Sequence, residues 1–278
     1  MLDIETPFQI QFETPPVVEV ACGVAFHELK NLLAPHLGLL WEEFKADYPS
    51  CQEKPELEAK IEDLSGYTPK VTEVKFFDTP PLPRIWFLSD KEDKIIQIQR
   101  NRFLHNWRKV NQDDQYPRFD KVFQIFKQQL STFKEFLSKE NLGEIQPLQY
   151  EIVYVNIIST DIGNQKLAEI GRVFPDIVWR NNQDRFLIEP ESINWNTTFL
   201  LPENKGRIHI NIRTLKQIDN QEQKFLMDIT VRGIDPNQSS LEGLSDWFNL
   251  AHNWVIQSFT DLTSLEMQNS VWGKKNDN

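Results

Sequence analysis

The chain has 278 residues with 41 acids against 30 bases, a formal charge of −11, and is 40% hydrophobic and 12% aromatic. Such a composition buries a core and is not that of a disordered chain, and the length suits one large domain or two of roughly 140 residues each. The acidity excludes broad attraction to nucleic acid or to an anionic membrane surface, so contact with nucleic acid would need a local patch.

In chain order, Pro15 and Pro16 precede Val17, Val18, Val20, Cys22, Val24 and Phe26, and this β-branched run predicts a strand over 17–26. Leu33, Leu37, Leu40, Trp41 and Phe44 recur at helical spacing, which predicts a helix over 32–48 with Pro35 in its first turn and Pro49 as its stop. Residues 49–83 carry six prolines and little periodicity; they read as a surface excursion with one further strand over 71–77. Two strands follow, over 84–89 and 94–109, joined by the polar residues 90–93.

Phe119, Val122, Phe123, Phe126, Leu130, Phe133 and Leu137 lie at offsets of three, four and seven, the stripe of an amphipathic helix that starts at Arg118 and ends at Gly143. A strand over 148–158 and a short helical stretch over 165–174 come next. Strands are then expected over 185–201, bent or bulged, over 207–215 and over 224–232. Ile208, Ile210 and Ile212 alternate with Arg207, His209, Asn211 and Arg213, so one face of that strand meets the core and the other meets water. Ser239 with Glu242 predicts a capping box for a last helix bearing Leu241, Leu244, Phe248, Ala251, Val255, Phe259 and Leu262 on one side. Residues 274–278 read as a polar tail.

The expected class is α+β: antiparallel sheet with long amphipathic helices on one face. Both halves run strand, helix, antiparallel strands, long helix. That order predicts duplicated β-α-β(n)-α units over 1–145 and 146–278, packed as one body.

The segments Pro15-Pro16-Val17-Val18-Glu19-Val20, Gly38-Leu39-Leu40-Trp41, Gln97 through Arg108, Tyr116-Pro117-Arg118-Phe119 and Tyr154-Val155-Asn156 together resemble a group of sporadically distributed, uncharacterised bacterial proteins of about this length. That group carries a numbered family label and no assigned activity. The resemblance covers essentially the whole chain and is most specific from Arg102-Phe103 to Trp107-Arg108. It implies a bacterial cytosolic protein, and a patchy distribution of that kind accompanies defence or mobile-element cargo.

Candidate chemistry concentrates in two places. Arg100, Arg102, Arg108 and Lys109, with no acid among them, interleave with Phe103 and Trp107 and include His105 and Asn106. They form either an anion-binding strip with rings for stacking or arginines paired with Asp113, Asp114 and Asp120 over buried aromatics. His105 is a general base only if a carboxylate orients it; otherwise it is an ordinary hydrogen-bonded histidine. The second place is the wet face formed by His209, Asn211, Arg213, Asp228, Thr230 and Arg232, either plain ladder pairing or the lining of a binding surface.

No HExxH, GxSxG, Walker loop or GxGxxG occurs, and the five histidines lack metal-ligand spacing. No metal, cofactor or membrane segment is expected. Cys22 and Cys51 read as reduced thiols, and residues 1–11 lack a basic leader with an apolar stretch, so a cytoplasmic location is expected. The functional expectation is a non-enzymatic binding or regulatory component of a bacterial multi-protein, defence-related system. It would hold a protein partner on its sheet face, with Trp247 and Trp272 as exposed anchors. The alternative is a sensor or enzyme for a phosphorylated or nucleotide-like small anion, using Arg100, Arg102, His105 and Arg108. A third reading has the acidic surface mimic nucleic acid.

Overall fold

Alternation of β-branched and small residues after Pro16 builds β2 (Val17–Phe26), the strand at the centre of the molecule. The computed structural model describes residues 10–58, 60–64, 82–159, 167–179, 186–187, 190–216, 223–236 and 241–275. Before β2 lies the short β1 (Gln11–Phe12). After it come α1 (Ala34–Phe44), β3 (Ser50–Lys54), β4 (Arg84–Leu88), β5 (Lys94–Gln99), β6 (Arg102–Arg108) and α2 (Phe119–Lys139). The second half holds β7 (Pro147–Ser159), a 3-10 turn at Leu167–Arg172, β8 (Asn194–Leu200), β9 (Arg207–Lys216), β10 (Gln223–Gly233), α3 (Leu244–Leu262) and β11 (Lys274–Lys275).

Nine strands form one antiparallel sheet in the order β3-β4-β5-β6-β2-β7-β10-β9-β8. The topology repeats outward from the β2–β7 ladder. In the first half β2 borders β6, then β5 and β4; in the second β7 borders β10, then β9 and β8. Each half closes with its long helix, α2 against β2 and β6, α3 against β7 and β10. The fold is therefore α+β with its helices on one face of an antiparallel sheet. Among the described residues no helix is long and apolar enough to cross a membrane.

The core lies between sheet and helices. The stripe of α2 sets Phe133 parallel to Phe103 of β6 at 5.2 Å, and Phe123 reaches Phe248 of α3 at 4.8 Å. Each such ring contributes about 1.5–3 kcal/mol by leaving water. Trp247 is only 2% exposed and donates its indole N–H to the Lys205 carbonyl; Trp272 is 3% exposed between Phe12 and Phe259. The expectation that these two tryptophans project from the core is corrected, because Trp247 packs on Tyr150 and Phe248 and Trp272 packs on Phe12 and Phe259.

Other boundaries shift for local reasons. The single strand expected over 94–109 is a hairpin that turns at Arg100 and Asn101. Core-facing positions are even before the turn (Ile96, Ile98) and odd after it (Phe103, His105, Trp107), which one period-two strand cannot satisfy. Within 49–83, β3 is an edge strand with four of its five residues exposed, so no apolar period marks it. Of the strand expected over 185–201 the described residues show β8 over Asn194–Leu200, with 185, 188 and 189 outside them, and α1 is shorter than 32–48 at both ends. Lys274 and Lys275 of the expected tail pair with β1. The strand expected over 71–77 and the Ser239 cap lie outside the described residues.

Candidate functional site

The face of the sheet opposite the helices carries Arg102 and Asn106 of β6, Glu151 of β7, Arg207 and His209 of β9 and Arg232 of β10. There β7 sets Glu151 opposite Arg232 of β10, and β10 sets Arg232 opposite Arg207 of β9. Arg102 of β6 reaches the same group, 4.0 Å from Glu151, while Arg232 Nε donates to Glu151 Oε2. Two glycines permit this crowding. A Cβ on Gly206 would sit 2.2 Å from the Arg232 carbonyl oxygen, and one on Gly233 would sit 2.1 Å from that of Lys205. Arg207 and Arg232 thus extend from a close backbone approach that only glycine allows.

Like charges directly opposite on a ladder repel, and an acid from outside the sheet relieves this pair. After β3 the chain crosses the helix-free face, with Leu57, Lys60, Glu62 and Asp63 in contact with it. Glu62 Oε1 lies 2.7 Å from His209 Nε2 and 4.0 Å from Arg232, and its Oε2 accepts from Arg207 at 3.2 Å. Arg207 also donates to the Asp63 carbonyl at 2.7 Å. Burial by itself raises the Glu62 carboxyl pKa, but the bond and charge of His209, the bond of Arg207 and the charge of Arg232 outweigh it, and the net shift is downward. Burial, followed by the facing Arg232, pulls the Arg102 guanidinium below the usual arginine range against the pull of Glu151.

Two glutamines hold the crossing segment by its main chain. Gln99 accepts from the Leu57 N–H at 2.9 Å and donates to the Leu57 carbonyl at 3.2 Å. Gln149 accepts from the Glu62 N–H at 2.8 Å and donates to the Lys60 carbonyl at 2.9 Å. A separate polar row lies nearer β4: Arg84 and Trp86 donate to Gln97, Gln97 to Asn106, and Asn106 to Glu19. Burial raises the Glu19 pKa, with Asn106 and Arg108 opposing and Asp228 adding; burial likewise raises Asp228, with Arg213 opposing.

The sequence-predicted residues therefore divide. Arg102, Asn106, Arg108, His209, Asn211, Arg213 and Arg232 share the helix-free face. Arg102, His209 and Arg232 converge around Glu62 and Glu151, Asn211 bonds Asn194 and Asn196 on the exposed β8–β9 end, and Arg213 faces Asp228 at 3.7 Å. Arg108 turns to Glu92 at 3.0 Å. Arg100 sits in the β5–β6 turn, donating to the Leu32 carbonyl at 3.0 Å with Glu28 at 3.7 Å. His105 and Trp107 point the other way, into the core beneath α2. The His105 ring has no hydrogen-bond partner, and Trp107 packs on Tyr116 at 5.4 Å. The pairing expected with Asp113, Asp114 and Asp120 is corrected to Glu28, Glu92 and Glu151. Asp114 instead accepts from the Val110 and Asn111 N–H groups of its own loop.

Sequence reasoning missed Glu62, Gln99, Gln149 and Glu151 as site members. Gln149 and Glu151 alternate with Tyr150 and Ile152 on β7, a readable period, whereas nothing local marks Glu62.

A cavity of about 450 Å³ opens on the helix side between the start of α2 and α3. Along its wall Tyr154 OH lies 2.9 Å from Tyr116 OH and 3.0 Å from His252 Nδ1, and Phe119 stacks on the imidazole at 4.0 Å. Burial pushes His252 down to about 4 and both tyrosines upward, so this chain of groups is neutral at pH 7. Among the described residues no cluster of three His, Cys, Asp or Glu side chains forms a metal set. Comparison with family models, with curated proteins and with solved structures gave no match.

Proposed function

We propose that this chain is a cytoplasmic, non-enzymatic binding or regulatory component of a bacterial, defence-related multi-protein system, and that it holds a protein partner on the helix-free face of its sheet. The supporting observation is the character of that face. It is covered by no helix among the described residues, it is rich in groups that read main chain and charge, and it runs out to the edge strand β8, where Leu200, paired with Arg207, is 51% exposed. A strand that ends the sheet among the described residues, beside an exposed apolar side chain, supports main-chain pairing with an extended segment. The setting, bacterial and defence-related, follows the resemblance noted above.

The test compares partner recovery by affinity purification from the native host. Arg213→Glu on the β8–β9 end should lose a partner that the wild-type chain retains, and Lys127→Glu on exposed α2 should retain it. Equal recovery by both variants, or recovery of this chain alone, refutes the reading.

A further inference from the structure

We infer that Leu57, Lys60, Glu62 and Asp63 act as an internal stand-in for an extended acidic segment of the partner, seated in a peptide site made by Gln99, Gln149, Arg207, His209 and Arg232. This deepens the proposed function and rests on it.

Three observations carry the inference. First, the two glutamine amides hold main-chain N–H and C=O groups at both ends of the crossing. Such contacts are indifferent to side-chain identity, so another extended segment fits as well. Gln99 on β5 and Gln149 on β7 stand three strands apart, about 14 Å at the usual strand spacing. The five steps from Leu57 to Glu62 span about 16 Å of extended chain. Second, the carboxylate of Glu62 is what the cationic row requires: it pairs with Arg207 and His209, whereas Glu151 pairs with Arg102 and Arg232. Third, the crossing is held by polar contacts. Ile61 is 44% exposed and Leu57 only partly buried, and segments with few buried apolar contacts open locally at low cost. The sheet does not depend on this path either, because β3 and β4 pair directly with each other.

A tethered segment competes at an effective concentration near millimolar, so a peptide added in trans binds only when the internal copy is weakened. The experiment uses the full chain and a fluorescein-labelled peptide with the sequence of residues 55–64, read by fluorescence anisotropy. Glu62→Gln should bind this peptide at least about tenfold tighter than the wild type does. The gain should vanish when the peptide carries Gln in place of its own Glu62, and again when Arg207→Ala is added to the chain. Equal affinity for wild type and Glu62→Gln overturns the inference, as does full displacement of the peptide by equimolar inorganic phosphate, which would mark a small-anion site. Hydrogen exchange on the wild-type chain supplies a readout free of variants: the Leu57 and Glu62 amides should exchange at least about a hundredfold faster than those of β2 and β7. Equal protection overturns it. Loss of peptide binding with retained, Arg213-dependent partner capture sinks this inference alone, whereas loss of partner capture sinks the reading beneath it.

Discussion

His105 gives the sharpest quantitative test of the core. Its imidazole is fully buried beneath α2 with neither nitrogen bonded, and burial, aided by the charge of Lys94 and opposed by Gln129, pushes its pKa down to about 3. In the unfolded chain the value returns to about 6.5. Because the folded value is depressed, the unfolded chain binds more protons between pH 6.5 and 3, and stability falls as pH drops through that window. At pH 5 the unfolded imidazole is protonated by a ratio of about 30 to 1, so this residue costs about 2 kcal/mol relative to pH 7. His105→Leu removes the penalty together with an unsatisfied polar group, and at pH 7 it should be as stable as the wild type or more stable by about 1 kcal/mol. Urea unfolding followed by tryptophan fluorescence at pH 7 and pH 5 reads both values. The variant's advantage should widen by about 2 kcal/mol at the lower pH, while the parallel penalty from His252, held at about 4, cancels in the comparison. An advantage that stays constant between the two pH values refutes the buried, neutral imidazole.

Gly206→Ala should lower stability by about 2 kcal/mol or more, since its Cβ would meet the Arg232 carbonyl oxygen at 2.2 Å; a melting temperature within a degree of wild type would contradict the close approach. Cys22 is fully buried with its thiol pKa pushed up by burial, whereas Cys51 is exposed on β3. One thiol should therefore react with a disulfide reagent in the native chain and two in denaturant, and two fast native thiols would contradict the core.

Much of the architecture is legible because helical stripes and strand alternation are one-dimensional signals. The α2 stripe from Phe119 to Leu137 and the Ile208–Ile212 alternation point to the faces they occupy. The turn at Arg100 and Asn101 carries a weaker signal, a change of parity between Ile98 and Phe103, with no glycine to punctuate it. That parity decides the site. Read as one strand, residues 100–109 line up Arg102, His105 and Arg108 as a strip, but a strand sends Arg102 and His105 to opposite faces. Glu62 is invisible for a different reason: its partners Arg207, His209 and Arg232 lie some 150 residues away, and no local pattern encodes contacts that the sheet brings together.

The charge of the whole chain and the charge of its candidate site have opposite signs, and the contrast bears on how a partner would be recruited. At −11 the chain repels acidic segments within a Debye length of about 8 Å of its surface, salt screens that repulsion farther out, and at the row itself the local arginines dominate. Glu62 and Glu151 leave Arg102, Arg207 and Arg232 with a small residual positive charge, too little to steer a free acidic peptide across the surrounding field. On the proposed reading, first contact falls to the β8–β9 end, where Asn194, Asn196 and Asn211 bond one another on the exposed surface. On that same reading, an acidic segment delivered from there competes as a tethered ligand, on the same footing as Leu57 to Glu62, and equal tethering is the condition under which one acidic segment exchanges for another on a single row of glutamines and arginines.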